Sequence, residues 1–459
     1  MKAPRGLPGA QHAGQYFARH AEPEAALAVD VGESYLAALC VPVCGEESSF
    51  LQGFDAALRQ APGRVLLILV VNAPEGAPAQ LHAENQRLLA QLAASSPMQR
   101  VLCPGEHRTH AVLARVGQHD LLWLDRASRG ARLPAREGVG TARKIAGDLA
   151  AALWARGQLA CSRIASSDGD VTLPADYFTA LTTNVVEPKP SAAWLWPFQH
   201  DAGGDSAIDA ATLLYEISLR YYVLGLAAAG SCYAYHSVGS TLCVEAPAYL
   251  SVRGFLRREA GEDFYLLDKL AKVAPLHRVA AAPVRIRARA SDRVPFGTGR
   301  RSREIAEESA QGREFALYAP RTFEALAAVL RGLDEYAESA RIDALQRSVT
   351  SAVPELAEAV LQVLESLGAF AALAGAATQA PTGAVLRRRI HTWFDALRTL
   401  RFIHGLRDRC LPVLPWQLAL TTASFLRDPF AAGQEPVAVC RQLAFAEAEL
   451  PRQIGPALR

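Results

Sequence analysis

No stretch of this sequence is apolar for long enough to cross a bilayer. The longest runs, LLILVV and VLGLAAAG, fall short of the roughly 18 to 20 residues that a spanning helix needs. Metal-type or disulfide-type cysteine spacing is missing too. Cys40, Cys44, Cys103, Cys161, Cys232, Cys243, Cys410 and Cys440 form no CxxC sets with matching histidines, so they read as small hydrophobes. A dominant charge sign is also lacking. The 48 basic and 46 acidic residues give a formal net charge of +2, which argues against a surface that generally coats nucleic acid. The opening MKAPRGLPGAQHAGQYFARHAEPE has basic residues but no apolar core before a cleavage site. It does not read as a secretory signal, and a cytoplasmic location is the expectation. No internal repeat is evident.

What the sequence has is 459 residues, half of them hydrophobic and a fifth charged, the composition of a folded globular protein too long for a single core. Up to about residue 290, β-rich runs (YLAALCVPV, RVLLILVV, HDLLWLDR, LACSRIASS) alternate with helical patterns such as QLHAENQRLLAQLAA and TARKIAGDLAAALWA. Such alternation predicts an α/β fold, Rossmann-like, with a mostly parallel sheet flanked by helices. Beyond about residue 310 the strand signals stop, and apolar residues recur at three- and four-residue spacing, which predicts an α-helical C-terminal extension. The expected division is a tail over 1–30, the α/β domain over 31–305 and the helical region over 306–459. ATQAPTGA, near 377–384, reads as a loop between helices.

In an open α/β sheet, ligands collect outside the carboxyl ends of the strands. The first strand is expected to end at Pro42 and run into CGEESSFLQGF, placing Glu46 and Glu47 at a helix start, where the helix dipole alone also favours acids. The second ends at Asn72, which can bind a base or ribose edge or shape a turn. SSDGDVTLP is more informative. It follows a predicted buried strand, so Asp168 and Asp170 stand at that strand's carboxyl end, and a divalent cation is the economical way to keep two close carboxylates ionised. The same pattern also occurs as a solvated turn. About 90 residues on, GSTLCV reads as a strand, AYLSVRGF leads to Gly254, and GEDFYLLDKLAKV reads as a helix with Glu262 and Asp263 in its first turn.

Taken together, VPVCGEE with Pro42 and Glu46, GVGTARKIAGDLAAAL with Gly140, Arg143 and Lys144, the DGD of Asp168 and Asp170, and the turn followed by Glu262 and Asp263 resemble the nucleotide-sugar glycosyltransferases of the GT-A fold, family 2 in particular. The resemblance covers roughly residues 35–290. It implies that Asp170 holds Mn²⁺ or Mg²⁺ against the donor's diphosphate, that Asp168 contacts the ribose or a metal water, and that Arg143 and Lys144 add positive charge beside the phosphates. It further implies that Asp263 is the base in an inverting transfer, with Glu262 in support, and that His277 is a further metal-ligand candidate. Where the family commonly has an aspartate at the end of the second strand, this chain has Asn72, and the interval before the DGD is longer than in compact members.

Other features leave two readings each. RIRAR suits an edge strand with a charged face. VPFGTGRR could bring backbone N–H groups and arginines to a diphosphate, though it lacks the lysine of a P-loop. Trp194 and Trp196 could stack on a sugar or form core, with His200, Asp201 and His236 on the presumed acceptor side. LRRRIHTWFDALRTLRFIHGLRDR reads as a basic amphipathic helix, either packed on the catalytic domain or resting on anionic lipid at the inner face of a membrane, which would suit a lipid-linked rather than a free saccharide acceptor. The alternatives to a glycosyltransferase are a nucleotidyltransferase on the same type of scaffold and a non-catalytic GT-A-like binding protein.

Overall fold

Two unbroken apolar segments form the centre of the sheet. In the computed structural model, which describes residues 13–102, 110–183, 191–291, 293, 297–380, 383–427, 430–431 and 433–455, β1 (Ala37–Val43) and β2 (Val65–Asn72) are buried at every position. Strands covered on both faces must be apolar on both, which is why neither alternates. Pro42 lies inside β1 opposite Val70 and does not end the strand, which continues to Val43.

The chain continues through β3 (Gln99–Leu102), β4 (His110–Val116), β5 (His119–Arg126) and β6 (Arg163–Ser166), then β7 (Val171–Thr172), β8 (Ala193–Leu195), β9 (Phe198–Asp201), β10 (Leu242–Glu245), β11 (Leu276–Arg278) and β12 (Val284–Arg287). The main sheet runs β11-β8-β10-β6-β1-β2-β5-β4-β3. Its centre, β6-β1-β2-β5, is parallel, and antiparallel pairs flank it on both sides. From β1 the chain order runs outward to β2 and β5 on one side, whereas β6 lies on the other. The crevice beyond the carboxyl ends of β1 and β6 is therefore the topological switch point where α/β sheets bind ligands. β7, β12 and β9 form a separate three-stranded sheet with β12 in the middle, so RIR, expected as an edge strand, is paired on both sides.

The helix Val139–Ala155 is buried along almost its whole length, with its leucines, Ile145 and most of its alanines in the core and its three charged side chains, Arg143, Lys144 and Asp148, buried with partners. Gly140 is needed there, since a Cβ would come within 2.5 Å of the Leu256 carbonyl oxygen. The described part of the N-terminal segment, from residue 13 on, is tied to this helix. Tyr16, in the helix Ala13–Arg19, donates to Asp148, and the Glu22 N–H donates to the same carboxylate at 2.7 Å.

Two compact units result, one of residues 1–203 with 237–300 and the other of 204–236 with 301–459. The second unit is helical around its own core, in which the helices Ser206–Ala228 and Arg321–Ser339 contribute Tyr221 and Phe323, their rings 5.6 Å apart. The basic stretch expected as one helix is two, Gly383–Trp393 and Ala396–Arg409, because the Asp395 carboxylate accepts from the Arg398 N–H at 3.0 Å and caps a new start. Among the described residues no single helix is long and apolar enough to cross a membrane, although Pro354–Ser366 and Ala369–Gln379 pass that test together as a pair bent by 66°. The described cysteines are all free thiols. Cys103, residues 294–296 of VPFGTGRR, and Pro381 with Thr382 lie outside the described residues.

Candidate functional site

Arg143 organises the switch-point crevice. It projects from the buried helix and is 4% exposed. Its Nε donates to Glu262 Oε1 at 2.8 Å and its Nη2 to both oxygens of Asp168 at 2.7 and 3.0 Å. Nη1 donates to Ser166 Oγ at 2.6 Å and to the carbonyls of Ser167 and Gly239. One guanidinium thereby joins the end of β6, the DGD turn and the start of the helix Glu262–Val273. Gly239 permits this approach, since a Cβ there would lie 2.5 Å from Arg143 Nη2.

This corrects two expectations. Each nitrogen of Arg143 is engaged by protein oxygens, so the residue positions the acids instead of facing phosphate. Lys144, about 100° further round the helix, points elsewhere: its Nζ donates to Asp148 Oδ2 at 2.9 Å and to Tyr16 at 3.0 Å, within a buried network that Tyr249 completes.

The second half of the crevice is held by arginines that the sequence reading did not single out. Arg289 Nη1 donates to Glu46 Oε1 at 2.6 Å, and its Nε lies 2.8 Å from Asp170 Oδ2. Arg293 also pairs with Glu46 and donates to the Gly45 carbonyl. Glu46 can reach the DGD turn because residue 169 is glycine, where a Cβ would meet Glu46 Cγ at 2.8 Å. The Arg287 N–H donates to the Asp170 carbonyl at 2.9 Å, so the end of β12 holds the turn. The two aspartates thus take different partners, and the carboxylate that shares a cation with Asp170 is Glu46. The available signal was the run of arginines in RIRARASDR following the acidic pair.

Asn72 is 3% exposed and donates to the carbonyls of Val43 and Val70, while Asn85 donates to the Asn72 carbonyl and accepts from the Gly45 N–H. Its carboxamide therefore braces the exit of β1 instead of meeting a nucleobase. His277 lies in β11, buried, with its ring 4.4 Å from Trp194. Three strand spacings, roughly 14 Å, separate β11 from β6, too far for a ligand to the same ion as Asp170. Trp194 and Trp196 are core. Arg163 stacks on Trp194 at 3.8 Å, and Trp196 lies 4.8 Å from Tyr177. His200 is buried in β9, Asp201 pairs with Arg285, and His236 pairs with Glu447 within the second unit.

Electrostatically the crevice is acidic. Glu46, Asp168, Asp170, Glu262 and Asp263 face Arg143, Arg289 and Arg293, so five carboxylates against three guanidiniums leave two negative charges when all are ionised. Burial, together with the Glu262 charge, pushes the Asp263 carboxyl up to about 7 against the pull of Arg143 and of the Phe264 N–H that donates to it. Burial likewise raises Asp170, with Asp168 and Glu46 adding to it and Arg289 opposing.

Among the described residues no three His, Cys, Asp or Glu side chains are disposed to hold a metal. The chemistry nevertheless fits a hard cation. Mg²⁺ is commonly held by one or two carboxylates together with substrate phosphates, and Asp170 and Glu46 present two oxygens around one positively charged group in a crevice where five acids face three arginines.

No protein-family model matches the chain, and no curated protein matches it. Among solved structures it is similar to the mannosyltransferase PcManGT from Pyrobaculum calidifontis in complex with GDP-Man and Mn²⁺, at 13% identity over 87% of this chain and 94% of that one, with a TM-score of 0.32. It is also similar to a mycobacterial protein at 13% identity over 65% and 83%, with a TM-score of 0.29. Likenesses this distant decide nothing about chemistry, which the side chains of the crevice must carry.

Proposed function

We propose that the first unit is a nucleotide-sugar-dependent glycosyltransferase of the GT-A, family 2-like type, which moves a sugar to an acceptor hydroxyl with inversion. The observation that carries this reading is the Arg143 bridge from Asp168 to Glu262, which brings a carboxylate turn at the switch point and an acidic pair some 95 residues away in sequence to the same crevice. The nucleotidyltransferase alternative leaves the acidic pair after the turn unexplained, whereas an acceptor base gives it a role.

Asp170 and Glu46 would hold the Mn²⁺ or Mg²⁺ that this class uses, and the ion would neutralise the departing diphosphate. Asp168, oriented by Arg143, keeps lone pairs for a ribose hydroxyl. Asp263 takes the proton from the acceptor hydroxyl. Its carboxyl titrates near neutral pH, where a base combines an adequate ionised fraction with proton affinity. Glu262 stays paired with Arg143, and its charge keeps Asp263 basic.

A thermal-shift screen of sugar nucleotides with and without Mn²⁺ tests the reading, since a ligand of the folded state raises the melting temperature. Mn²⁺-dependent stabilisation by a sugar nucleotide, with nucleoside diphosphate and no pyrophosphate released on turnover, is expected. Absence of a shift across the panel would leave a non-catalytic scaffold.

A further inference from the structure

We infer that Arg289 is the resident counter-cation of the Asp170–Glu46 carboxylate pair, that it competes with a divalent cation for this position, and that once exchanged it pairs with a donor's diphosphate. This inference rests on the donor-site reading above and names a residue that the reading leaves without a role.

The geometry supplies three reasons. First, Nε and Nη1 of one guanidinium contact oxygens from both acids, at 2.8 and 2.6 Å, so the guanidinium stands where one ion would touch both. Second, the acids are brought together by the backbone: Gly169 admits Glu46, and β12 pins the Asp170 carbonyl. Two carboxylates held this close repel, and a positive charge between them is the cheapest relief. Third, Arg289 is partly exposed and sits two residues past β12, whereas Arg143, buried on a helix, is locked by six contacts. Of the two, only Arg289 is placed to change partner.

A cation arriving alone would have to strip Arg289 of both acids and leave it unpaired. A diphosphate arriving alone would meet acids whose neutralising arginines, Arg289 and Arg293, are already engaged. Together they exchange partners cleanly, the cation taking the carboxylates and the planar guanidinium taking phosphate oxygens in the bidentate manner that arginine favours. The crevice should therefore bind Mn²⁺ weakly without nucleotide, because the protein already holds a competitor.

The test uses the full chain and no turnover. Mn²⁺ alone is titrated by the loss of its free-ion electron paramagnetic resonance signal, and GDP and UDP are titrated calorimetrically with Mn²⁺ present, for wild type and for Arg289→Gln, Arg289→Ala and Arg289→Lys, each checked by circular dichroism. Removing the competing charge should tighten Mn²⁺ alone by about tenfold or more, the size of a typical coupling between sites. The same neutral variants should weaken the nucleoside diphosphate, so the two affinities move in opposite directions. Arg289→Lys, which keeps the charge, should retain weak Mn²⁺ binding, and it preserves the comparison with Arg289→Gln if the alanine variant does not fold. Mn²⁺ affinity equal in wild type and the neutral variants, with nucleotide binding intact in wild type, overturns the exchange while sparing the donor site. Failure of wild type and every variant to bind Mn²⁺ or either nucleotide overturns the donor-site reading and the exchange with it.

Discussion

The Nε of Arg143 lies 2.8 Å from Oε1 of Glu262, a buried ion pair between residues 119 positions apart. Because the same guanidinium also grips Asp168, the pair does more than neutralise a charge. It sets the distance between the turn that would meet the donor and the helix start that would meet the acceptor.

Arg143→Ala should therefore destabilise the fold strongly. Glu262 is 2% exposed and would lose its cation, and breaking a buried pair from one side costs about 3–5 kcal/mol. Arg143→Lys should recover only part of this, since one ammonium cannot serve six acceptor contacts in a plane. Urea denaturation of the variants reads both effects directly.

Asp263→Asn should change stability in a pH-dependent way. The Asp263 pKa is raised from an ordinary 3.8 to about 7, so the folded state favours the protonated carboxyl. Its contribution is fully present below about pH 4 and is lost as the pH rises through about 7. Asparagine removes that loss. Melting curves at pH 8 should show the variant more stable than wild type by a few degrees, with the difference vanishing near pH 4.

Tyr16→Phe separates structure from site. The Tyr16 hydroxyl donates to Asp148, which is fully buried, and also accepts from Lys144. Its removal should cost about 1–3 kcal/mol, the penalty of a buried acceptor left short of a partner, while Mn²⁺-dependent donor affinity, measured by calorimetry, stays unchanged. A loss of donor affinity with unchanged stability would place Lys144 and Asp148 in the site after all.

Asp170→Ala should abolish Mn²⁺-dependent binding of a sugar nucleotide and leave the circular dichroism spectrum intact, since Asp170 lies in a turn and not in the core. Unchanged metal-dependent binding would remove Asp170 from the donor site.

Much of this architecture was legible before the structure. Continuous apolar runs marked β1 and β2, RIAS followed shortly by a glycine between two aspartates placed the DGD beyond β6, and GEDFYLLDKL marked a helix with its acids in the first turn. Side-chain direction was not legible. The helix carrying Arg143 and Lys144 is buried all round, so its pattern does not show which face meets the crevice. Asn72 could turn its carboxamide outward or inward, and a strand-end position does not decide between them. Arg289 was hidden for another reason. Its partner Glu46 is 243 residues away, and no local periodicity records a pairing that depends on β12 lying beside β7, next to the DGD turn. His277 reads the same in sequence whether it faces a cation or a tryptophan.

The central claim, that Asp263 is the base of a sugar transfer, is tested most directly by single-turnover transfer from a bound sugar nucleotide in Asp263→Asn, with donor affinity measured on the same samples and wild type followed across pH. Donor affinity should hold, because the base meets the acceptor and not the diphosphate. Transfer should fall by roughly 10²- to 10⁴-fold, the usual contribution of a positioned base, and the wild-type rate should rise through about pH 7 as Asp263 ionises. Transfer within a few-fold of wild type, with a flat profile through neutrality, would contradict the account and point to a transfer that uses no protein base.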